Sequence, residues 1–198
     1  MLKLLITRLT LVVGLFAMTS ATAEIQPNNL FPRVKMVTSV GDIVVELNRD
    51  RAPITVKNFL RYVEKAQYNN TIFHRIVPQY VVQGGGYTAE FQDKPSFEQI
   101  VNEAGNGLKN DYGTIAMARE RAPHSATRQF FFNIDNNDSL NPSDRRWGYA
   151  VFGKVVAGDE VLQKLAQTES LPYDEKTKWR DVPVDPPVLI RIEVVPAE

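Results

Sequence analysis

Apolar side chains recur at every second position through much of this chain. Val34, Met36, Thr38 and Val40 alternate with Lys35, Val37 and Ser39, and Ile43, Val45 and Leu47 alternate with Val44 and Glu46. A period of two sends successive side chains to opposite faces, the pattern of a half-buried strand. The Gly41-Asp42 pair between the runs marks a turn, so this stretch reads as a β-hairpin. Further strands are expected over Thr71 to Val77, Tyr80 to Gln83, Thr114 to Ala118, Phe130 to Ile134 and Tyr149 to Val156. A last strand places Val188, Ile190, Ile192 and Val194 on one face.

Two segments have a helical period instead. Pro53 suits a first helical position, where its missing N–H would have had no partner. Val56, Phe59, Leu60 and Val63 then form one apolar face, with Lys57, Asn58, Arg61 and Glu64 on the other side. Asp159 to Ala166 turns Val161, Leu162 and Leu165 inward. About eight closely spaced strands and two helices favour a mainly β fold over βαβ units. We expect a closed eight-stranded antiparallel barrel capped by two α-helices. Closure also removes the sheet edges.

The N-terminus has a different character. Lys3 and Arg8 precede an apolar run from Leu9 to Ala17, and Ala21-Thr22-Ala23 reads as a small-x-small cleavage site. This is the pattern of a secretory signal peptide over residues 1–23. Residues 24–33 then read as a polar lead-in, and residues 34–196 as one domain. The run is short for a membrane span, so no integral membrane association is expected after cleavage. An exported location follows, in a periplasm or outside the cell. The 198 residues contain no cysteine, which excludes thiolate nucleophiles, thiolate metal sites and disulfides. Formal net charge is zero, with no basic run, which argues against nucleic-acid binding. No feature points to an oligomer, so a monomer is expected.

The chemistry centres on Phe73-His74-Arg75-Ile76-Val77-Pro78, followed by Gln83-Gly84-Gly85-Gly86. An arginine on an apolar strand offers a fixed fork of donors to a partly dry cleft. Little else here is equipped to break bonds. His74 and His124 have no metal-ligand spacing, and Ser125 lies in no G-x-S-x-G motif. The glycines are no phosphate loop, since no Gly-Lys-Ser/Thr follows; they read as a turn needing positive φ. Neither metal nor cofactor is expected. Rotation about an X-Pro peptide bond is a reaction that needs no covalent change. In Phe130-Phe131-Phe132, alternation sends Phe130 and Phe132 to one face and Phe131 to the other, so Phe131 can line a groove while its neighbours fill the core.

These blocks resemble the cyclophilins. Gly113-Thr114-Ile115-Ala116-Met117-Ala118, Ser125-Ala126-Thr127-Arg128-Gln129-Phe130-Phe131 and Gly148-Tyr149-Ala150-Val151-Phe152-Gly153-Lys154-Val155 continue the likeness in the family's order. Asn102-Glu103, Gly107-Leu108 and the exported start are most similar to periplasmic cyclophilins of Gram-negative bacteria. The resemblance implies a peptidyl-prolyl cis-trans isomerase acting on proline-containing polypeptides, with an eight-stranded barrel and two helices. It implies Arg75 as the catalytic arginine, and Gln83 and Gln129 as glutamines on the substrate backbone. Phe131 would line the proline pocket, with Tyr80, Val81, Leu140 and Tyr149 around it, and the backbone of Arg119 would bind substrate. Gln83 would also orient Arg75. His74 stands beside the arginine, although a lone strand histidine reads more simply as a core residue. A groove that holds proline segments with weak or no catalysis is the alternative function. The chain departs from the family at Tyr80 (usually phenylalanine), Gln79 (usually glycine), Val81 (usually methionine) and Arg119 (often asparagine). Ser139 replaces the tryptophan of cyclosporin-sensitive members, which implies weak cyclosporin binding.

Overall fold

A computed structural model describes residues 26–196. The expected signal segment, 1–23, lies outside the described residues. The strands are β1 (Arg33–Thr38), β2 (Gly41–Leu47), β3 (Thr71–Val77), β4 (Val81–Gly84), β5 (Thr114–Met117), β6 (Phe130–Asn133), β7 (Val151–Ala157) and, further along, β10 (Val188–Val194). These eight pair in the order β1-β10-β3-β4-β6-β5-β7-β2 and close into a barrel, antiparallel at every seam. The period-two pattern therefore produced the expected architecture. A separate small sheet pairs β8 (Ser170–Leu171) with β9 (Val182–Pro183). It lies inside a stretch that reads as loop, because two-residue strands are too short to show a period.

The helices are α1 (Pro53–Glu64) and α2 (Asp159–Ala166). Phe59 of α1 packs on Tyr68, Phe130 and Phe152 with ring centroids 5.1–5.9 Å apart. Val161 of α2 sits over Gly41, where an added Cβ would lie only 2.6 Å from its Cγ2. Gly41 thus belongs to β2 and serves as a seat for α2. The turn itself falls at Ser39-Val40, two residues earlier than the glycine suggests, with Thr38 opposite Gly41. The Thr38 hydroxyl closes it by donating to the Gly41 carbonyl at 2.5 Å.

Three other expectations are corrected. A register shift between β1 and β10 pairs Val37 with Arg191 and Thr38 with Leu189. This irregularity turns Leu189 inward and leaves Ile190 38% exposed, breaking the alternation expected of the last strand. On α1, Asn58 is buried and donates to the Thr127 carbonyl at 2.5 Å, so the helix buries part of its polar side too. Tyr80 precedes β4 and does not open it. Its N–H closes a turn onto the Val77 carbonyl at 3.1 Å, and Gln79 in that turn has φ +57°. A glycine would take that φ without cost, whereas a residue with a Cβ loses roughly 1–2 kcal/mol.

Alternation within β6 decides where function can sit. Phe130 and Phe132 belong to the main core with Met36, Ile43, Leu47 and Phe152. Phe131 belongs to a second cluster on the outer face of the barrel, with Val81, Ala116, Leu140 and Val151. Tyr80, Ala118 and Tyr149 edge that cluster.

Candidate active site

Strand register builds one row of side chains across the outer face. Arg75 pairs with Gln83, Gln83 with Phe131, and Phe131 with Ala116. An arginine on β3 and a phenylalanine on β6 thus flank the same short strand, β4, on one side of the sheet. Around this row lies a pocket of about 90 Å³, lined by Arg75, Tyr80, Val81, Gln83, Ala118, Arg119, Phe131, Leu140 and Tyr149. Its volume is roughly that of three waters, so it suits a single small ring.

The walls are fixed from behind. Phe131 meets Tyr149 edge to face, with centroids 5.5 Å apart at 81°. The Tyr149 N–H donates to the Leu140 carbonyl at 3.0 Å, holding the segment before β7 against the turn that carries Leu140. That turn is a short 3-10 segment, Asp138–Leu140. A group of asparagines supports it. The Asn137 amide donates to the Tyr80 carbonyl at 2.9 Å and to Asn133 Oδ1 at 2.8 Å, and Asn133 donates to Thr114 Oγ1 at 2.9 Å. Asn110 donates to Asn141 Oδ1 at 3.0 Å. Sequence reasoning saw a polar loop here, because asparagines that satisfy each other in the interior look the same in sequence as asparagines that face water.

The polar side of the pocket differs from expectation in its connections. Gln83 Nε2 donates to Gln129 Oε1 at 2.9 Å, so the two glutamines hold each other. The Arg75 guanidinium lies beside the Asp181 carboxylate, with Nη2 to Oδ2 at 3.4 Å. Asp181, which sequence reasoning did not single out, thus stands beside Arg75 together with the expected Gln83. Arg119 contributes its side chain to the rim: Nε donates to the Gly148 carbonyl at 3.0 Å, and the guanidinium lies 4.6 Å from the centre of the Tyr149 ring. Gln129 is not part of the lining; it packs against Gly86, where an added Cβ would fall 2.7 Å from its side chain. Of the glycine triplet, Gly85 has positive φ, at +86°, while Gly86 is needed for this close approach.

His74 does not line the pocket. Phe73 pairs with Gly84 and Arg75 with Gln83, so His74 is the extra residue of a bulge. Phe73 and Ile76 point into the core, while the imidazole lies 4.7 Å from the Tyr87 ring and 6.1 Å from Trp179. It is 5% exposed, and its Nδ1 has no partner. Burial, with the Arg75 charge adding to it, lowers the imidazole from 6.5 to about 4. Between those values the unfolded chain binds more protons than the folded one, so stability falls as pH drops through that window. The difference amounts to about 3 kcal/mol when complete. Urea midpoints measured at pH 7 and pH 4.5 should show this loss, and His74→Phe should show markedly less of it. Equal losses in the two proteins would contradict the assignment.

With this geometry in place, comparison with known proteins gives the family. The model for cyclophilin-type peptidyl-prolyl cis-trans isomerases matches residues 33–194. A peptidyl-prolyl cis-trans isomerase of Streptomyces antibioticus is 46% identical over 159 residues, covering 79% of this chain and 94% of that protein. Peptidyl-prolyl cis-trans isomerase B of Escherichia coli K12 is 53% identical over 131 residues, covering 65% and 80%. A crystal structure of a cyclophilin-type isomerase from Cryptosporidium parvum has a TM-score of 0.66 at 28% identity, covering 85% of this chain and 99% of that one. A structure of the same protein in the presence of the dipeptide Ala-Pro has a TM-score of 0.64.

A closed eight-stranded barrel with two helices and an outer-face pocket is the architecture of the cyclophilin class. The chain belongs to the cyclophilin-type peptidyl-prolyl cis-trans isomerases and is an enzyme of that activity.

Proposed function

We propose that this isomerase accelerates X-Pro rotation in exported polypeptides while they fold, with Arg75 as the donor that stabilises the twisted imide. The convergence of Arg75, Gln83 and Phe131 on one small pocket, with donors on one side and rings on the other, carries this reading. Resonance sets the barrier to rotation at roughly 18–20 kcal/mol. Twisting the bond ends that resonance and leaves a lone pair on the prolyl nitrogen. A donor aimed at this lone pair favours the twisted state over either planar state, and only such a difference raises the rate. Lowering the barrier by about 7 kcal/mol corresponds to a rate gain of about 10⁵. One preorganised donor supplies roughly 3–4 kcal/mol. The held ring and a pocket with few waters supply the remainder.

Phe131, Tyr80, Val81 and Leu140 hold the proline ring, with Tyr149 bracing Phe131. The Gln83–Gln129 pair and the backbone of Arg119 hold the preceding residues while the prolyl side turns. No group has to gain or lose a proton, so the rate should vary little around neutral pH. No cofactor takes part, and the enzyme acts as a monomer. Slow X-Pro rotation limits folding of many chains, which gives an exported isomerase its use. The signal pattern in residues 1–23 supports that location. Ser139 is exposed beside the pocket, offering a hydroxyl where a cyclosporin-binding tryptophan would stand, and this supports weak cyclosporin binding.

Titration of the labelled protein with a short X-Pro peptide tests the site. The amides and methyls of Val81, Phe131, Leu140 and Tyr149 should shift first. Shifts confined to another face would overturn the placement. Fractionation of cells making the full chain should recover it, shortened by 23 residues, outside the cytoplasm; retention at full length inside would refute the export reading.

A further inference from the structure

Arg75 needs a fixed direction to act on a bond it does not otherwise hold, and an arginine has about 2 kcal/mol of rotamer freedom to lose. The glutamine that pairs with it across the strands donates its amide N–H to Gln129, and among the described residues its oxygen takes no hydrogen bond from the guanidinium. The group within ion-pair distance is Asp181, 3.4 Å away and 106 positions along the chain. Asp181 is itself held firmly. Its carbonyl accepts the Ile76 N–H at 2.9 Å, stitching its loop to β3 one residue past Arg75. Val182, the next residue, is 2% exposed in β9, and Trp179 packs against Tyr87 with centroids 4.7 Å apart. The backbone of Asp181 has φ +58°, a conformation that asparagine and aspartate tolerate better than most residues.

We infer that Asp181 is a positioning residue for the isomerase reaction: its carboxylate, fixed by the β8–β9 loop, holds Nη2 of Arg75 so that Nε and Nη1 face the pocket before substrate arrives. This rests on the role given to Arg75 above. The carboxylate engages one edge of the fork and leaves the other donors for the peptide. Ordering the guanidinium in advance removes that cost from the rotation step. The pair is about one-third exposed on each side, so solvent limits its strength and the effect is moderate.

The test is kinetic, on the whole protein and a short X-Pro peptide. Asp181→Asn keeps the shape and removes the charge. Its kcat should fall about 3- to 5-fold, the range open to a partly exposed pair, with KM changed less than twofold. Asp181→Glu should restore part of the loss. On an Arg75→Ala background, Asp181→Asn should cause no additional loss, because there is no guanidinium left to hold. An unchanged kcat in Asp181→Asn, or the same fractional loss with and without Arg75, would overturn the inference and leave Asp181 as loop structure alone. Full activity in Arg75→Ala would remove the role of Arg75 itself and this inference with it. Loss in Arg75→Ala without loss in Asp181→Asn would remove the inference alone.

Discussion

Arg75→Ala should lower kcat/KM by about 10²- to 10³-fold, the loss typical of removing one preorganised donor from a developing charge. The fold should survive. The Arg75 side chain is 36% exposed and pairs with one partly exposed carboxylate, so stability should change by less than about 1 kcal/mol. Arg75→Lys should fall between the two proteins, because it keeps the charge and loses the planar fork. Peptide affinity should change far less than kcat, since the proposed proline pocket is walled by Phe131, Val81 and Leu140. A steady-state comparison checks this, with thermal unfolding as the control. If affinity fell while kcat held, Arg75 would be a binding residue and no donor to the twisted bond.

Arg128→Ala should cost about 3–5 kcal/mol of stability and lower Tm by on the order of 10 °C. This is the largest structural effect expected from a single charged residue here. Arg128 is 1% exposed, and its partners are main-chain carbonyls. Nε donates to Gly85 at 2.7 Å, Nη1 to Pro95 at 2.8 Å, and Nη2 to Gln67. The guanidinium lies 5.2 and 5.7 Å from the ring centres of Tyr62 and Tyr68. One side chain thus ties the glycine turn, the irregular segment after it and the end of α1 to the start of β6. Burial pulls its pKa below the usual arginine value, and burial likewise pushes Tyr68 well above the usual tyrosine value. Removing the guanidinium leaves three carbonyls without their donor, that of Gly85 in a buried site and those of Pro95 and Gln67 in partly buried ones, and a buried orphan is costly. Activity should fall as well, since Gln129 is the next residue. Chemical denaturation decides the matter; a loss under 1 kcal/mol would mean that water replaces the guanidinium.

Period-two alternation made the barrel legible because a strand with one buried face writes that face into every second residue. The split of Phe130 and Phe132 from Phe131 followed from the same rule and placed the pocket on the outer face. Most of the pocket was legible through motif likeness: Arg75, Tyr80, Val81, Gln83, Arg119, Phe131, Leu140 and Tyr149 all line it. What stayed hidden depends on irregularity or on distance along the chain. The bulge at His74 and the register shift near Leu189 change which side a residue faces without changing composition. Asp181 bears no sequence relation to Arg75, and folding alone brings them together. Arg128 and Asn58 look like surface residues until the carbonyls they serve are known.

The most direct test of the account is exchange spectroscopy on a short X-Pro peptide, with catalytic amounts of the protein and of its Arg75→Ala variant. The account predicts rapid cis–trans exchange with the protein, and loss of most of that gain in a variant that unfolds at the same temperature. A protein that binds the peptide in the Phe131 pocket yet leaves its exchange at the uncatalysed rate, tens to hundreds of seconds, would contradict it.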